Sequence, residues 1–255
     1  MNTDAVTKLV ERGYSQDKIV GDYSKNRNVW PEEKAIFDKY FKKIGKVLDI
    51  GCGAGRTTFY LAKLDNKVVG IDISEKFIEK AKERLKEEPA DIEFKVGDAN
   101  KLAYPDSSFS GAVFSFNGIG FIPRKEGKIK FINEVNRVLK SGGYLFFTAH
   151  NPFLINRFIF GNLMHRTRIL FSKAFGMKIQ EQECGEKYND KPNEESPYID
   201  IKGRRTWLNI IRQSDMELEY FNSMDGIKEN RNFSFPQDLF GKKNFFFFVL
   251  KKPGR

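Results

Sequence analysis

An alternation that begins near residue 45 and holds to residue 150 constrains this chain more than any other feature. Five short apolar runs, at residues 47–50, 68–71, 92–96, 112–116 and 144–149, are separated by stretches whose apolar residues recur with helical spacing. Phe59, Leu61, Ala62 and Leu64 form one such stretch, and Phe77, Ile78, Ala81 and Leu85 a second, with Ser74 as its cap. Ile129, Ile132, Val135, Val138 and Leu139 form a third, which Gly142-Gly143 is expected to stop. Strands alternating with helices at this pace predict a mainly parallel sheet with right-handed crossovers, an α/β protein. Ahead of it, residues 1–44 mix polar and aromatic positions, and Pro31-Glu32-Glu33 reads as the first turn of a helix running to about Lys43. These residues are expected to form an N-terminal helical cap on a domain of residues 45–255. After His150 the rhythm breaks. Residues 152–201 do not read as one strand–helix unit and are expected to be an insertion, before a helix at 203–214 and strands at 216–221 and 245–250.

The first strand runs into Asp49-Ile50-Gly51-Cys52-Gly53-Ala54-Gly55-Arg56. Glycines there let the backbone turn tightly and approach a ligand. A dinucleotide fingerprint needs its third glycine at position 56, which is Arg56, and a Walker loop needs Gly-Lys-Ser/Thr, which is absent. Asp49 at the end of the strand suits a cationic aminoacyl group better than a pyrophosphate. Asp72 ends the second strand, 21 residues after Gly51, where a carboxylate can accept both hydroxyls of a ribose. Gly97-Asp98-Ala99 ends the third, where a carboxylate can accept from an adenine amino group. Three acids after three consecutive strands share the sheet edge at which open α/β sheets bind ligands.

The stretch Val47-Leu48-Asp49-Ile50-Gly51-Cys52-Gly53-Ala54-Gly55 resembles motif I of the class I S-adenosylmethionine-dependent methyltransferases. Gly70-Ile71-Asp72-Ile73-Ser74 is similar to their motif II, and Gly97-Asp98-Ala99 to their adenine-side acid. Asp106-Ser107-Ser108-Phe109 and Val138-Leu139-Lys140-Ser141-Gly142-Gly143 are also similar to the family, so the resemblance covers roughly residues 45–150. It implies a Rossmann-like, seven-stranded, mostly parallel sheet with helices on both faces and the last strand antiparallel. It implies S-adenosylmethionine as cofactor, with S-adenosylhomocysteine as product. By the same resemblance Asp49, Gly51, Cys52, Gly53 and Gly55 lie against the methionine part, Asp72 holds the ribose, Ile73 packs on adenine, and Asp98 and Ala99 meet its edge. Methyl transfer is an in-line displacement that depends on alignment, and a base is needed only where the nucleophile must lose a proton.

The acceptor side is read from the residues after the fourth and fifth strands. In Ser115-Phe116-Asn117-Gly118, Phe116 is expected to border the cofactor, and Asn117 to orient an acceptor or the methionine amine, against a plain Asn-Gly turn. The Asn-Pro-Pro-Tyr type of motif found in amino-methylating nucleic-acid enzymes is absent. His150 is a candidate general base, against a structural histidine. Tyr23 and Arg27 are candidates to close over the cofactor from the cap, against packing or surface roles.

Residues 152–180 hold Arg157, Arg166, Arg168, Lys173 and Lys178 without an acid, and five phenylalanines, Phe153, Phe158, Phe160, Phe171 and Phe175. A substrate lid, an anionic membrane surface, and an RNA or dimer face are all compatible with that stretch. The net charge of +10 fits either anionic partner or none. The expected acceptor is a small molecule methylated on N or O; an RNA methyltransferase and a non-catalytic adenosyl-ligand binder are the alternatives. Cys52 and Cys184 are too few for a disulfide framework, the two His and two Cys lack metal-ligand spacing, and no leader or membrane-spanning run is apparent. A cytoplasmic monomer or homodimer without metal is therefore expected.

Overall fold

The computed structural model describes residues 3–150, 159–177, 181, 183, 185–188, 198–223 and 245–254. Arg157, Lys178, Cys184, Phe153 and Phe158 lie outside the described residues, as does part of the expected insertion. Three helices open the chain: α1 (Thr3–Tyr14), α2 (Asp17–Ser24) and α3 (Pro31–Tyr40). Strand β1 (Lys46–Ile50) leads through the glycine loop into α4 (Arg56–Lys63), then β2 (Lys67–Asp72), α5 (Glu75–Glu87), β3 (Ile92–Val96) and β4 (Phe109–Phe114). A single 3-10 turn at Gly118–Phe121 precedes α6 (Arg124–Val138) and β5 (Leu139–His150). The segment expected to be an insertion contributes α7 (Ile159–Ala174), β6 (Glu186–Tyr188) and β7 (Tyr198–Asp200). The chain closes with α8 (Arg204–Arg212), β8 (Glu217–Ser223) and β9 (Phe245–Lys251).

Seven strands form one sheet in the order β3-β2-β1-β4-β5-β9-β8, while β6 and β7 pair antiparallel in a small sheet of their own. Strands β1 to β5 pair in parallel, and β9 is antiparallel to both β5 and β8. The Rossmann-like sheet with an antiparallel last strand is thus as expected. The order reverses between β1 and β4, which places a crevice at the C-terminal ends of these strands.

The two faces of the sheet are separated by strand alternation. Leu48, Ile50, Val69 and Ile71 face α6 and α8, where Phe131, Ile132, Val135, Trp207 and Ile210 complete one core. Val47, Val68 and Val113 face α3 and α4, with Ile36, Phe37 and Leu61. Strand β9 shows why this chain holds 25 phenylalanines: Phe246, Phe248 and Leu250 enter the first core and Phe245, Phe247 and Val249 the second. A strand buried on both faces reads as an unbroken apolar run.

Three boundaries differ from expectation. Helix α3 stops at Tyr40 rather than near Lys43, because buried Asn66 ends it: its amide donates to the carbonyls of Phe41 (2.7 Å) and Leu61 (2.9 Å), and its oxygen accepts from Ile44 N–H (3.0 Å). One side chain so caps the ends of both α3 and α4. Helix α6 ends at Val138 without a glycine stop. Lys252 Nζ, donating to the carbonyls of Asn136 (2.8 Å) and Leu139 (2.7 Å), satisfies its last turn, while Gly142 and Gly143 lie inside β5. There Gly142, at φ 75°, donates to Lys252 O (3.1 Å) and Gly143 O accepts from Lys252 N–H (2.8 Å). The fourth strand runs over Phe109–Phe114 rather than 112–116, because Phe116 and Asn117 both turn to positive φ.

Candidate functional site

The glycine loop leaves β1 in a conformation that side chains resist. Gly51 has φ 63°, and a Cβ there would meet the Phe114 ring at 2.9 Å; Gly55 has φ 88°, and a Cβ there would meet Phe59 at 2.9 Å. The turn brings Gly53 N–H within 2.9 Å of Asp72 Oδ2, and Ser74 N–H donates to Asp72 Oδ1 at 2.9 Å. Asp72 is thereby fixed at the end of β2, and burial pushes its carboxyl above the usual carboxylate range.

A cleft enclosing about 1070 Å³, part of it open to solvent, lies at the C-terminal ends of β1 to β4. Of the expected cofactor residues, Gly51, Cys52, Gly53, Asp72, Ile73, Asp98, Ala99, Phe116 and Tyr23 line it. Asp98 Oδ1 accepts from Asn100 N–H (2.8 Å) and Nδ2 (3.0 Å), and Asn100 reaches Thr7 of the N-terminal cap at 3.4 Å. Burial pushes the Cys52 thiol well up, so it stays neutral.

The remaining expected residues lie elsewhere. Gly55 is absent from the wall and instead starts α4. Asp49, expected beside the methionine part, is fully buried behind the loop on the α4 face. Its Oδ2 accepts from Thr57 (2.7 Å) and Thr58 (2.6 Å), and burial raises its pKa to about 6. Strand alternation turns Asp49 away from the cleft, and Thr57, which does line it, stands between. Arg27 is exposed and holds the cap to the end of α5, pairing with Glu88 (3.0 Å) and Glu87 (3.6 Å). His150 does not reach the wall. Its ring lies 5.3 Å from that of Phe245, which stacks on Trp30 at 4.8 Å, and Trp30 in turn packs on Phe116. Asn117 is buried just behind the wall, its N–H donating to Thr148 Oγ1 (2.8 Å), while its side-chain oxygen has no hydrogen-bond partner among the described residues. Two consecutive non-glycine residues at positive φ, Phe116 (53°) and Asn117 (63°), are strained, and such strain is retained at sites where the surroundings dictate it.

Other wall residues had no sequence signal of their own. Thr7, Val10 and Tyr14 of α1 close the cleft from above. Tyr14 meets Phe121 at 5.2 Å and Tyr23 at 5.9 Å, and Tyr23 meets Phe116 at 5.5 Å, so a band of edge-to-face rings spans the mouth. Among the described residues Arg56 is the one cation on the wall, and it is committed. Its guanidinium makes a two-pronged pair with fully buried Glu33 of α3 (2.5 and 2.9 Å) and donates to Ser115 Oγ (2.8 Å). Ser115 in turn donates to Glu33, and Glu33 accepts from Trp30 N–H (2.8 Å). Arg56 and Ser115 stand 23 and 82 residues from Glu33 in the chain, so only folding pairs them.

The wall therefore presents two carboxylates, Asp72 and Asp98, and one guanidinium that Glu33 already neutralises. That set suits a ligand with hydroxyls, an amino-bearing ring and positive charge, and among the described wall residues no uncommitted cation is offered to a pyrophosphate. An adenosyl sulfonium cofactor fits it.

The comparisons with known proteins agree with this geometry. A family model described as "Methyltransferase domain" matches residues 47–143. The demethylmenaquinone methyltransferase of Lactococcus lactis subsp. lactis is 31% identical over 192 residues, 69% of this chain and 75% of that one. A probable methyltransferase of Aspergillus luteorubrus is 32% identical over 154 residues, 57% of this chain and 53% of that one. The chain thus spans about half the length of several curated relatives it matches. A solved S-adenosylmethionine-dependent methyltransferase of Methanosarcina mazei superposes with TM-score 0.65 at 24% identity, over 89% of this chain and all of that one, which speaks for the fold.

Proposed function

Since this chain belongs to the class I S-adenosylmethionine-dependent methyltransferases, we propose that it transfers the methyl group of that cofactor to an N or O atom of a small-molecule acceptor. The observation that carries this reading is the division of the cleft. Carboxylates at the ends of β2 and β3 form one part, and the aromatic band of Tyr14, Tyr23, Phe116 and Phe121 forms the other.

When bound, S-adenosylmethionine supplies a methyl group on a positively charged sulfur, a leaving group that needs no further activation. Asp72, oriented by Gly53 and Ser74, would accept from the ribose hydroxyls, and Asp98 from the adenine edge. The glycine loop gives room for the methionine part, and Thr57, pinned by Asp49, sets the start of α4 beside it. Tyr14, Tyr23, Phe116 and Phe121 exclude water from the acceptor space and hold the acceptor by its apolar body. Alignment then supplies most of the rate. Tyr14 and Tyr23 line this side of the wall, and their phenols can hydrogen-bond to an acceptor's hydroxyl or amine. His150 stands behind Phe245 and Trp30 and takes no part. The ring-lined cleft, in which the one cation among the described wall residues is already paired, also favours a small acceptor over RNA, whose phosphates need uncommitted cations.

Titration calorimetry with S-adenosylmethionine and S-adenosylhomocysteine tests the donor. Binding by the wild type is expected, with a loss of roughly a hundredfold for Asp72→Ala, which removes a charged acceptor of two hydrogen bonds. Absence of binding, or an unaltered Asp72→Ala protein, refutes the reading. Labelled methyl appearing in the RNA fraction of a cell extract, and not among small molecules, would replace the acceptor class.

A further inference from the structure

We propose that α7 is an interfacial helix that docks this protein on an anionic lipid bilayer. Among the described residues seven large apolar side chains are exposed, and five of them, Met164, Leu170, Phe171, Phe175 and Met177, fall in one segment. Phe171 and Phe175 are 59% and 67% exposed, and their rings contact each other at 4.3 Å. Phe175 N–H still bonds to Phe171 O (3.0 Å), so the helical turn continues past Ala174 and Met164, Phe171 and Phe175 share one face. Ile169, two residues before Phe171 and so turned to the other side of the helix, is buried. Single exposed apolar residues are ordinary in folded proteins, but a contiguous set on one helix marks an interaction surface.

The charge of the same helix selects the partner. Its sequence contains Arg166, Arg168 and Lys173 and no acid; Arg168 already has a partner in Glu181, which leaves the charge of Arg166 and Lys173 to set the preference. A helix with exposed Phe, Leu and Met, bases and no acid is the composition that lies in the headgroup plane of an anionic membrane. Nucleic acid would take the bases but gain nothing from the apolar stripe. A two-fold contact between copies of the chain would set α7 against itself and bring like charges together. No helix among the described residues is long and apolar enough to cross a membrane, so the contact is peripheral. The segment is also tied to the cleft. Arg168 pairs with Glu181. Glu183 accepts from Lys202 Nζ (2.6 Å) and Lys125 N–H (3.1 Å). Ile199 of β7 lies against Gly120 in the 3-10 turn of the wall. Docking therefore acts on the element that carries the acceptor side, whatever the acceptor is.

The test is co-sedimentation of the full chain with vesicles of equimolar phosphatidylglycerol and phosphatidylcholine, beside vesicles of phosphatidylcholine alone. The wild type is expected to bind the anionic vesicles, less at high salt, and Phe171→Ser/Phe175→Ser to lose roughly tenfold or more in affinity. Both residues are exposed and outside the cleft, so cofactor affinity by calorimetry should be unchanged, which separates this result from the methyl-transfer reading. Met164 and Met177 should oxidise readily in the free protein and be protected by anionic vesicles. Failure to bind anionic vesicles, or equal binding by the double variant, overturns the proposal. So does protection of the two methionines in the free protein, which would mean that this chain covers its own helix. A dimer in light scattering that the double variant dissociates would assign the face to a second copy. Salt-sensitive retention of RNA that ignores both substitutions, without vesicle binding, would overturn the proposal and assign the bases of α7 to nucleic acid.

Discussion

Replacing Arg56 by Met puts the pairing at the cleft wall to a quantitative test. Glu33 is fully buried and takes four hydrogen bonds, two from Arg56 and one each from Ser115 and Trp30. Arg56→Met leaves that carboxylate with two neutral donors and no counter-charge. Removing one member of a buried pair costs about 3–5 kcal/mol, because the other charge stays desolvated. The side chain of Arg56 is 11% exposed, so the cleft admits some water to the vacated site, and the loss should sit near the lower end, about 3 kcal/mol. Glu33→Gln leaves a guanidinium that borders the cleft and can hydrate, so about 1–2 kcal/mol is expected. In the double variant neither charge is stranded, and its loss should fall below the sum of the two by about 2 kcal/mol. Urea unfolding followed by circular dichroism, with all four proteins at one pH, gives the cycle. A loss below about 1 kcal/mol for Arg56→Met, or a coupling within about 0.5 kcal/mol of zero, would refute the argument that Arg56 is held by Glu33 rather than kept for a ligand.

Two further outcomes rest on burial and on backbone space. Asp49 is raised from 3.8 to about 6 by desolvation, so the native state holds its proton more tightly than the unfolded chain. Stability contributed at this position is then present below pH 4 and lost as pH rises through 6. The stability of Asp49→Asn minus that of the wild type should therefore grow by up to about 3 kcal/mol between pH 4 and 7, and a difference flat in pH would exclude the buried ionisation. Gly118→Ala drives a Cβ into the ring of Phe114, which is buried and on the cleft wall, so a loss of about 1–3 kcal/mol and weaker cofactor binding are expected. Gly21→Ala in α2 meets nothing within 4 Å and should instead stabilise by about 0.5–1 kcal/mol; thermal unfolding of the pair checks both signs.

The ionic connections of the insertion show a different limit of sequence reading. Lys128 Nζ donates to Asp200 Oδ2 (2.8 Å) and to Ile122 O (2.5 Å), and Lys202 lies 2.8 Å from Asp200 Oδ1. Burial pulls Lys128 below the usual lysine range. Lys128 belongs to a helix whose apolar period is plain in the sequence, and nothing local sets it apart from surface lysines. Its partner is 72 residues away, in a strand too short to carry a periodic signal.

What the amino-acid order determined by itself was local and repetitive. Short apolar runs and period-3.6 patterns placed the five parallel strands and their helices, and the glycine spacing in 51–55 with Asp72 and Asp98 marked the sheet edge at which the cleft lies. These signals survive in one dimension because each is made by residues a few positions apart. The tertiary structure decided everything that depends on which way a side chain faces and on what comes back to meet it. It turned Asp49 behind the loop onto Thr57 and Thr58 and put Phe245 and Trp30 in front of His150. It sent Arg27 to the end of α5, and it brought Tyr14, Tyr23 and Glu33 from the N-terminal helices over a cleft that the sheet alone leaves open. Apart from the Asp49 contacts, which span eight and nine residues, those outcomes come from pairings across tens of residues, where burial and hydrogen-bond satisfaction of the whole fold, and not the spacing of neighbours, choose the partner.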